Sequence, residues 1–185
     1  MVELSICMHK QNSSPKSVNG ITSHQQGGAI TSFQSRISLY GTCILMHNED
    51  KNGGAILATE SRWFLYCELL AANSTATVSG GGACLYQSEF NSKDHSTFQL
   101  LNITATENGG GIHAISSLIK VDDPGSSLHL ITNDANVGGS LSRNDSILKY
   151  DFVYRNYPLH FFSISAHYGG AVYVADETNF GTCMM

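Results

Sequence analysis

Charge is scarce in this chain. Lys, Arg, Asp and Glu together make up 14% of its 185 residues, against about a quarter in an ordinary globular domain. Only ten residues are basic, none of them clustered, and the formal net charge is −5. That balance excludes nucleic acid and anionic membrane as partners, because both are held by grouped Lys and Arg. Long apolar runs are missing as well. The nearest, residues 64–72, is broken by Glu68 and falls far short of the roughly 20 residues of a spanning helix. The opening MVELSICMHK lacks the basic start and apolar stretch of a signal peptide.

Several kinds of chemistry lack their residues. Five cysteines (Cys7, Cys43, Cys67, Cys84 and Cys183) form no Cys-x-x-Cys, and no Cys/His group has zinc spacing. The eight histidines are dispersed, and read as surface or half-buried residues. No Gly-x-Ser-x-Gly elbow occurs, and the glycine triplets at 80–82 and 109–111 precede neither a lysine nor a helical pattern. No cofactor, metal or catalytic residue is therefore expected. Asp122-Asp123 is the one paired carboxylate, and with Pro124-Gly125 it makes a good turn.

Glycine is abundant, and it is ordered. A Gly-Gly doublet followed by a small and then an apolar residue begins at Gly27, Gly53, Gly81, Gly110, Gly138 and Gly169, in steps of 26, 28, 29, 28 and 31. A fixed period of this length marks a solenoid. Between doublets run short alternating segments such as Ile37/Leu39, Trp63/Leu65, Ile119/Val121 and Leu128/Leu130. Their period of 2 is that of strands. Leu-x-x-Asn recurs at Asn48, Asn73 and Asn133, with Asn102 in the same relative place.

Three short strands per coil of about 28 residues predict a single all-β domain, a right-handed parallel β-helix of five to six coils. Residues 1–26 are a partial first coil or edge, and 27–185 carry the repeats. The doublets turn the corners. The asparagines stack inward as a ladder. The expected interior holds Ala29, Ile30, Ile37, Leu39, Ala55, Ile56, Trp63, Leu65, Leu100, Ile112, Ile119, Val121, Leu128, Leu130, Ala171 and Val172. Neither end carries a capping segment, so the chain reads as a piece of something longer.

Gly27-Gly28-Ala29-Ile30, Gly53-Gly54-Ala55-Ile56 and Gly169-Gly170-Ala171-Val172, with Leu-x-x-Asn in place of Phe-x-x-Asn, make the chain resemble the polymorphic outer-membrane protein repeat. That resemblance covers residues 27–183 and is strongest to the large surface proteins of simple animals. It implies a right-handed parallel β-helix at the cell surface, and no particular activity. The expected role is a non-catalytic extracellular structural or adhesion module, its partners other surface proteins or glycans. The alternative is a polysaccharide lyase or glycoside hydrolase on a pectate-lyase-like β-helix, with carboxylates converging on one face.

A few residues stand as candidate sites. Cys43 and Cys67 fall at similar places after their doublets, so stacking makes them either a disulfide or two buried thiols. Asn-x-Ser/Thr occurs at Asn12, Asn73, Asn102 and Asn144. With Asn73 and Asn102 assigned inward, Asn144 and Asn12 remain the glycan candidates. Contacts are expected on the longer connections at 86–96, 122–127 and 142–145.

Overall fold

The computed structural model describes residues 2–7, 16–19, 28–121, 125–144, 146–150 and 159–175. Among them there is no helix, and every strand pairing is parallel. Three sheets run the length of the stack. The glycine sheet has six strands: Ile30–Phe33, Ile56–Thr59, Ala83–Tyr86, Ile112–Ile115, Leu141–Asn144 and Val172–Ala175. The threonine sheet has five: Glu49–Asn52, Thr75–Ser79, Thr104–Ala105, Asp134–Val137 and Ser165–Tyr168. The long sheet, of ten strands, carries two unbroken ones, Ser35–Met46 and Arg62–Ala72. Val2–Cys7 and Lys16–Asn19 pair with the first of these.

In later coils the long strand splits. Arg62–Ala72 pairs with both Glu89–Ser92 and Thr97–Leu101, the two halves being separated by residues 93–96. The next break, between Leu118–Val121 and Ser127–Ile131, falls in the same place. The solenoid makes about 4 turns, fewer than five to six. The coil that begins at Leu141 runs through residues 151–158, which lie outside the described ones.

Each coil turns three corners, and each corner uses one residue in the left-handed region, except that the last glycine corner uses both Gly169 and Gly170. Glycine holds the first, with φ of 67° at both Gly53 and Gly80. A Cβ at Gly53 would lie 2.1 Å from the Ile56 carbonyl oxygen, so a side chain is excluded by space as well as by φ. Its neighbour Gly54 serves the stack instead, since a Cβ there would lie 2.4 Å from the Gly81 carbonyl oxygen one coil on. In the two triplets the corner residue is the first glycine, Gly80 or Gly109. The structural register therefore pairs Ile56 with Ala83, one residue away from the doublet alignment.

Gln34, Glu60, Gln87 and Ser116 hold the second corner, with φ of 47–49°. The third is held by His47, Asn73, Asn102, Thr132 and Ser163, with φ of 51–54°. This corrects the inward asparagine ladder. Asn48 and Asn133 are buried, whereas Asn73 and Asn102 sit one position earlier, on the corner, and are exposed.

The interior is layered, coil upon coil. Leu39, Ala55, Ile56, Trp63, Leu65, Leu100, Ile112 and Leu130 are buried, as the alternation predicts. Ala29, Ile30, Ala171 and Val172, near the two ends of the stack, are partly buried. Trp63, Phe90 and Phe98 stack in sequence, with centroids 6.1 and 5.0 Å apart. The indole N–H of Trp63 donates to Ser32 Oγ at 2.9 Å, so its one polar atom is satisfied inside the core. Beneath the threonine sheet the inward column is Ala76, Ala105 and Ala135. One coil before Ala76 the same column holds the buried carboxylate of Asp50, and beyond it only methyl groups fill these three places.

Candidate functional site

Serine follows each left-handed residue of the second corner. Ser35, Ser61, Ser88, Ser117 and Ser146 stand in register, 26, 27, 29 and 29 residues apart. The backbone N–H of each of the first four donates to the hydroxyl oxygen of the next, at 3.2, 3.1, 3.0 and 3.0 Å. Each of these four hydroxyls donates in turn to the carbonyl two residues before it, at 2.7–2.8 Å. The ladder joins coil to coil where a turning backbone would leave its N–H groups unpaired. The polar ladder of this solenoid is thus built on serine and not on asparagine, and serine recurring at the coil period is its signal in the sequence.

A groove of about 520 Å³ runs along this corner, floored by the ladder and walled by Gln34, Glu60, Arg36, Arg62 and Glu89. Its charged groups are cross-linked between coils. Gln34 Nε2 donates to Glu60 Oε2 at 2.8 Å. Glu89 lies between Arg62, at 3.6 Å, and Lys120, at 3.0 Å. Arg36 rests over the Phe64 ring, 4.5 Å from its centroid. Further along the outer face of the same sheet, Tyr40 and Tyr66 stack 4.9 Å apart and nearly parallel.

Cys43 and Cys67 do meet across adjacent coils. Both are buried thiols with sulfurs 3.9 Å apart, the Cys67 S–H directed at Cys43 Sγ. That bond and burial push the Cys67 thiol up. The same bond holds Cys43 lower, against its burial. Cys84 is fully buried, and desolvation raises it to about 12. All three sulfurs are buried, Cys43 included, whereas a reactive thiolate needs exposure.

Asn12, Asp122, Asp123 and Cys183 lie outside the described residues. Asn144 is the last residue of its strand, paired with Ile115 and Ala175. The hydroxyl of its triplet belongs to Ser146, which is 1% exposed and accepts from the Ser117 N–H. The expected loop at 142–145 is mostly strand, and Ser142 is buried. Of the expected connection 86–96, Glu89–Ser92 is strand.

Several buried polar residues went unpredicted, among them Asp50, His113 and Arg143. His113 sits between Cys84 and Ser142 in register and is 8% exposed. Burial lowers its pKa to about 4, against a small opposing effect of a backbone hydrogen bond with Ser142. Arg143 continues the interior column of Ala58, Leu85 and Ala114, and burial lowers its pKa. Among the described residues, no three His, Cys, Asp or Glu side chains converge as a metal site, and no helix is long and apolar enough to cross a membrane.

No protein-family model, curated protein or solved structure matches the chain.

Proposed function

We propose that this chain is a non-catalytic structural or adhesion module of the extracellular surface, a stiff spacer that presents its sides to other surface proteins or to glycans. The observation that carries this reading is the serine ladder, which ties successive coils through Ser35 to Ser146 without a break. A stack bonded in this way at its corners transmits force along its axis and leaves its outer faces free to vary. The groove beside the ladder supports the same reading. Its two carboxylates, Glu60 and Glu89, are held by Gln34, Arg62 and Lys120 in cross-coil contacts. Such pairing makes a surface rather than a proton-transfer pair.

Two measurements test the proposal. Labelling of intact source cells with a membrane-impermeant amine reagent should tag the endogenous protein, and retention in the cytosol would overturn the surface reading. Incubation with pectin or alginate should release no unsaturated uronate. Release that disappears in Asp122→Asn/Asp123→Asn or in Glu60→Gln/Glu89→Gln would make it a polysaccharide-cleaving enzyme instead.

A further inference from the structure

The third corner places two asparagines of Asn-x-Thr triplets on the solvent side of adjacent coils. Asn73 and Asn102 adopt φ of 51° and 53° and are exposed. Asparagine tolerates this conformation better than most residues, so the corner fixes the side chain outward at little strain. The middle residues of the triplets, Ser74 and Ile103, are fully buried and anchor the segment. The chain then extends, and the hydroxyl-bearing Thr75 and Thr104 return to the exposed face. Amide and hydroxyl thus share one face in both triplets. At Asn144 the corresponding hydroxyl is turned into the serine ladder.

The surface beyond these asparagines suits a sugar. Around these asparagines the exposed side of the threonine sheet carries Thr75, Thr77, Thr104, Thr106 and Asn136, with the charged Glu49, Lys51 and Asp134 beside them. Its large exposed aromatic, Tyr168, lies on the last strand, beyond both coils. Asn102 Nδ2 donates to Asn73 Oδ1 at 2.7 Å. That bond leaves Asn73 Nδ2 outside it and uses only one of the two Asn102 amide hydrogens. Either nitrogen can therefore carry a substituent while the bond persists.

We infer that Asn73 and Asn102 are N-glycosylation sites and that the threonine sheet is the glycan-bearing side of the solenoid. The inference rests on the extracellular reading. The donor is an oligosaccharide linked to a lipid pyrophosphate, met in the secretory pathway. A bond forms between the asparagine Nδ2 and the anomeric carbon of the sugar. The bond from that carbon to the pyrophosphate breaks, and the lipid pyrophosphate leaves with the electron pair. The displaced amide proton passes to a base, and nothing is oxidised or reduced.

The test uses the full chain, with Asn12→Gln and Asn144→Gln removing its other two triplets, behind a cleavable signal peptide in a eukaryotic cell, recovered from the medium. Peptide N-glycosidase should increase its gel mobility, and Asn73→Gln/Asn102→Gln should abolish the shift. Thr75→Ala/Thr104→Ala, which keeps both corner asparagines, should abolish it equally and answers the question if the glutamine variants fail to fold. A secreted chain with no shift, or a shift that survives both double variants, overturns the inference. Because the signal peptide is supplied, this outcome is separate from the location of the endogenous protein, which tests the surface reading alone.

Discussion

The backbone N–H of Ser88 donates to Ser117 Oγ at 3.0 Å, one coil further along, while the hydroxyl of Ser88 accepts from the Ser61 N–H at 3.1 Å. Ser88 is thus a rung with one neighbour on each side. Both bonds are buried, so deleting the hydroxyl strands a donor rather than returning it to water. Ser88→Ala should lower unfolding free energy by about 1–3 kcal/mol. Ser35→Ala should lower it less, because that hydroxyl is exposed and bonds only locally to the Phe33 carbonyl in the described ladder. Chemical denaturation of both variants checks the order, and equal losses would contradict a cooperative ladder.

The corners make a prediction of opposite signs. Gly80 has φ of 67°, and a Cβ there would lie 2.4 Å from the Ala83 carbonyl oxygen. Gly80→Ala should destabilise by about 2 kcal/mol or more. Thr132 occupies the equivalent of Asn102 at φ 52°, where a β-branched side chain is strained. Thr132→Asn should stabilise by about 1 kcal/mol. Thermal and denaturant melts read both changes, and destabilisation by Thr132→Asn would contradict the corner assignment.

His113 should make stability depend on pH. Its pKa when folded is about 4, below the ordinary 6.5, because burial disfavours the imidazolium. The unfolded chain therefore binds the proton first as pH falls. Stability from this group is complete above about pH 6.5 and is lost progressively down to about pH 4, by at most about 3 kcal/mol. Compared with the parent chain, His113→Leu should flatten the fall in stability across this window, and an unchanged slope would exclude His113 as its source.

Cys43, Cys67 and Cys84 should resist thiol reagents while the chain is folded. The Cys43 and Cys67 sulfurs lie 3.9 Å apart, well beyond the 2.05 Å of a bond. In a Cys7→Ser/Cys183→Ser background, labelling should proceed only at the rate of unfolding and reach three thiols in denaturant. A folded mass lower by two hydrogens would instead mean that Cys43 and Cys67 are joined.

Much of the interior was legible in the sequence because identical faces must stack on identical faces. Ile37 and Trp63, or Leu39 and Leu65, announce a column by alternation and period together. The corners were only half legible. Glycine marks the first by its own shape, but the second accepts Gln, Glu or Ser and the third His, Asn, Thr or Ser. One residue of slip in coil length then separates exposed Asn73 from buried Asn48, though both end a Leu-x-x-Asn string. The serine ladder was hidden for a related reason, since serine is common enough to mask five in register. Arg143 in an interior column is visible only once that register is known.

Register is the foundation of the whole account, and cross-linking tests it most directly. Thr75 and Thr104 are direct partners on adjacent coils, and Asp134 follows one coil beyond Thr104. Coil spacing puts Thr75 and Asp134 roughly 10 Å apart. Thr75→Cys/Thr104→Cys, produced in bacteria and mildly oxidised, should form an intramolecular disulfide, whereas Thr75→Cys/Asp134→Cys should remain reduced. Failure of the first pair, or equal oxidation of the second, would contradict the stacked register on which the solenoid and its functional reading depend.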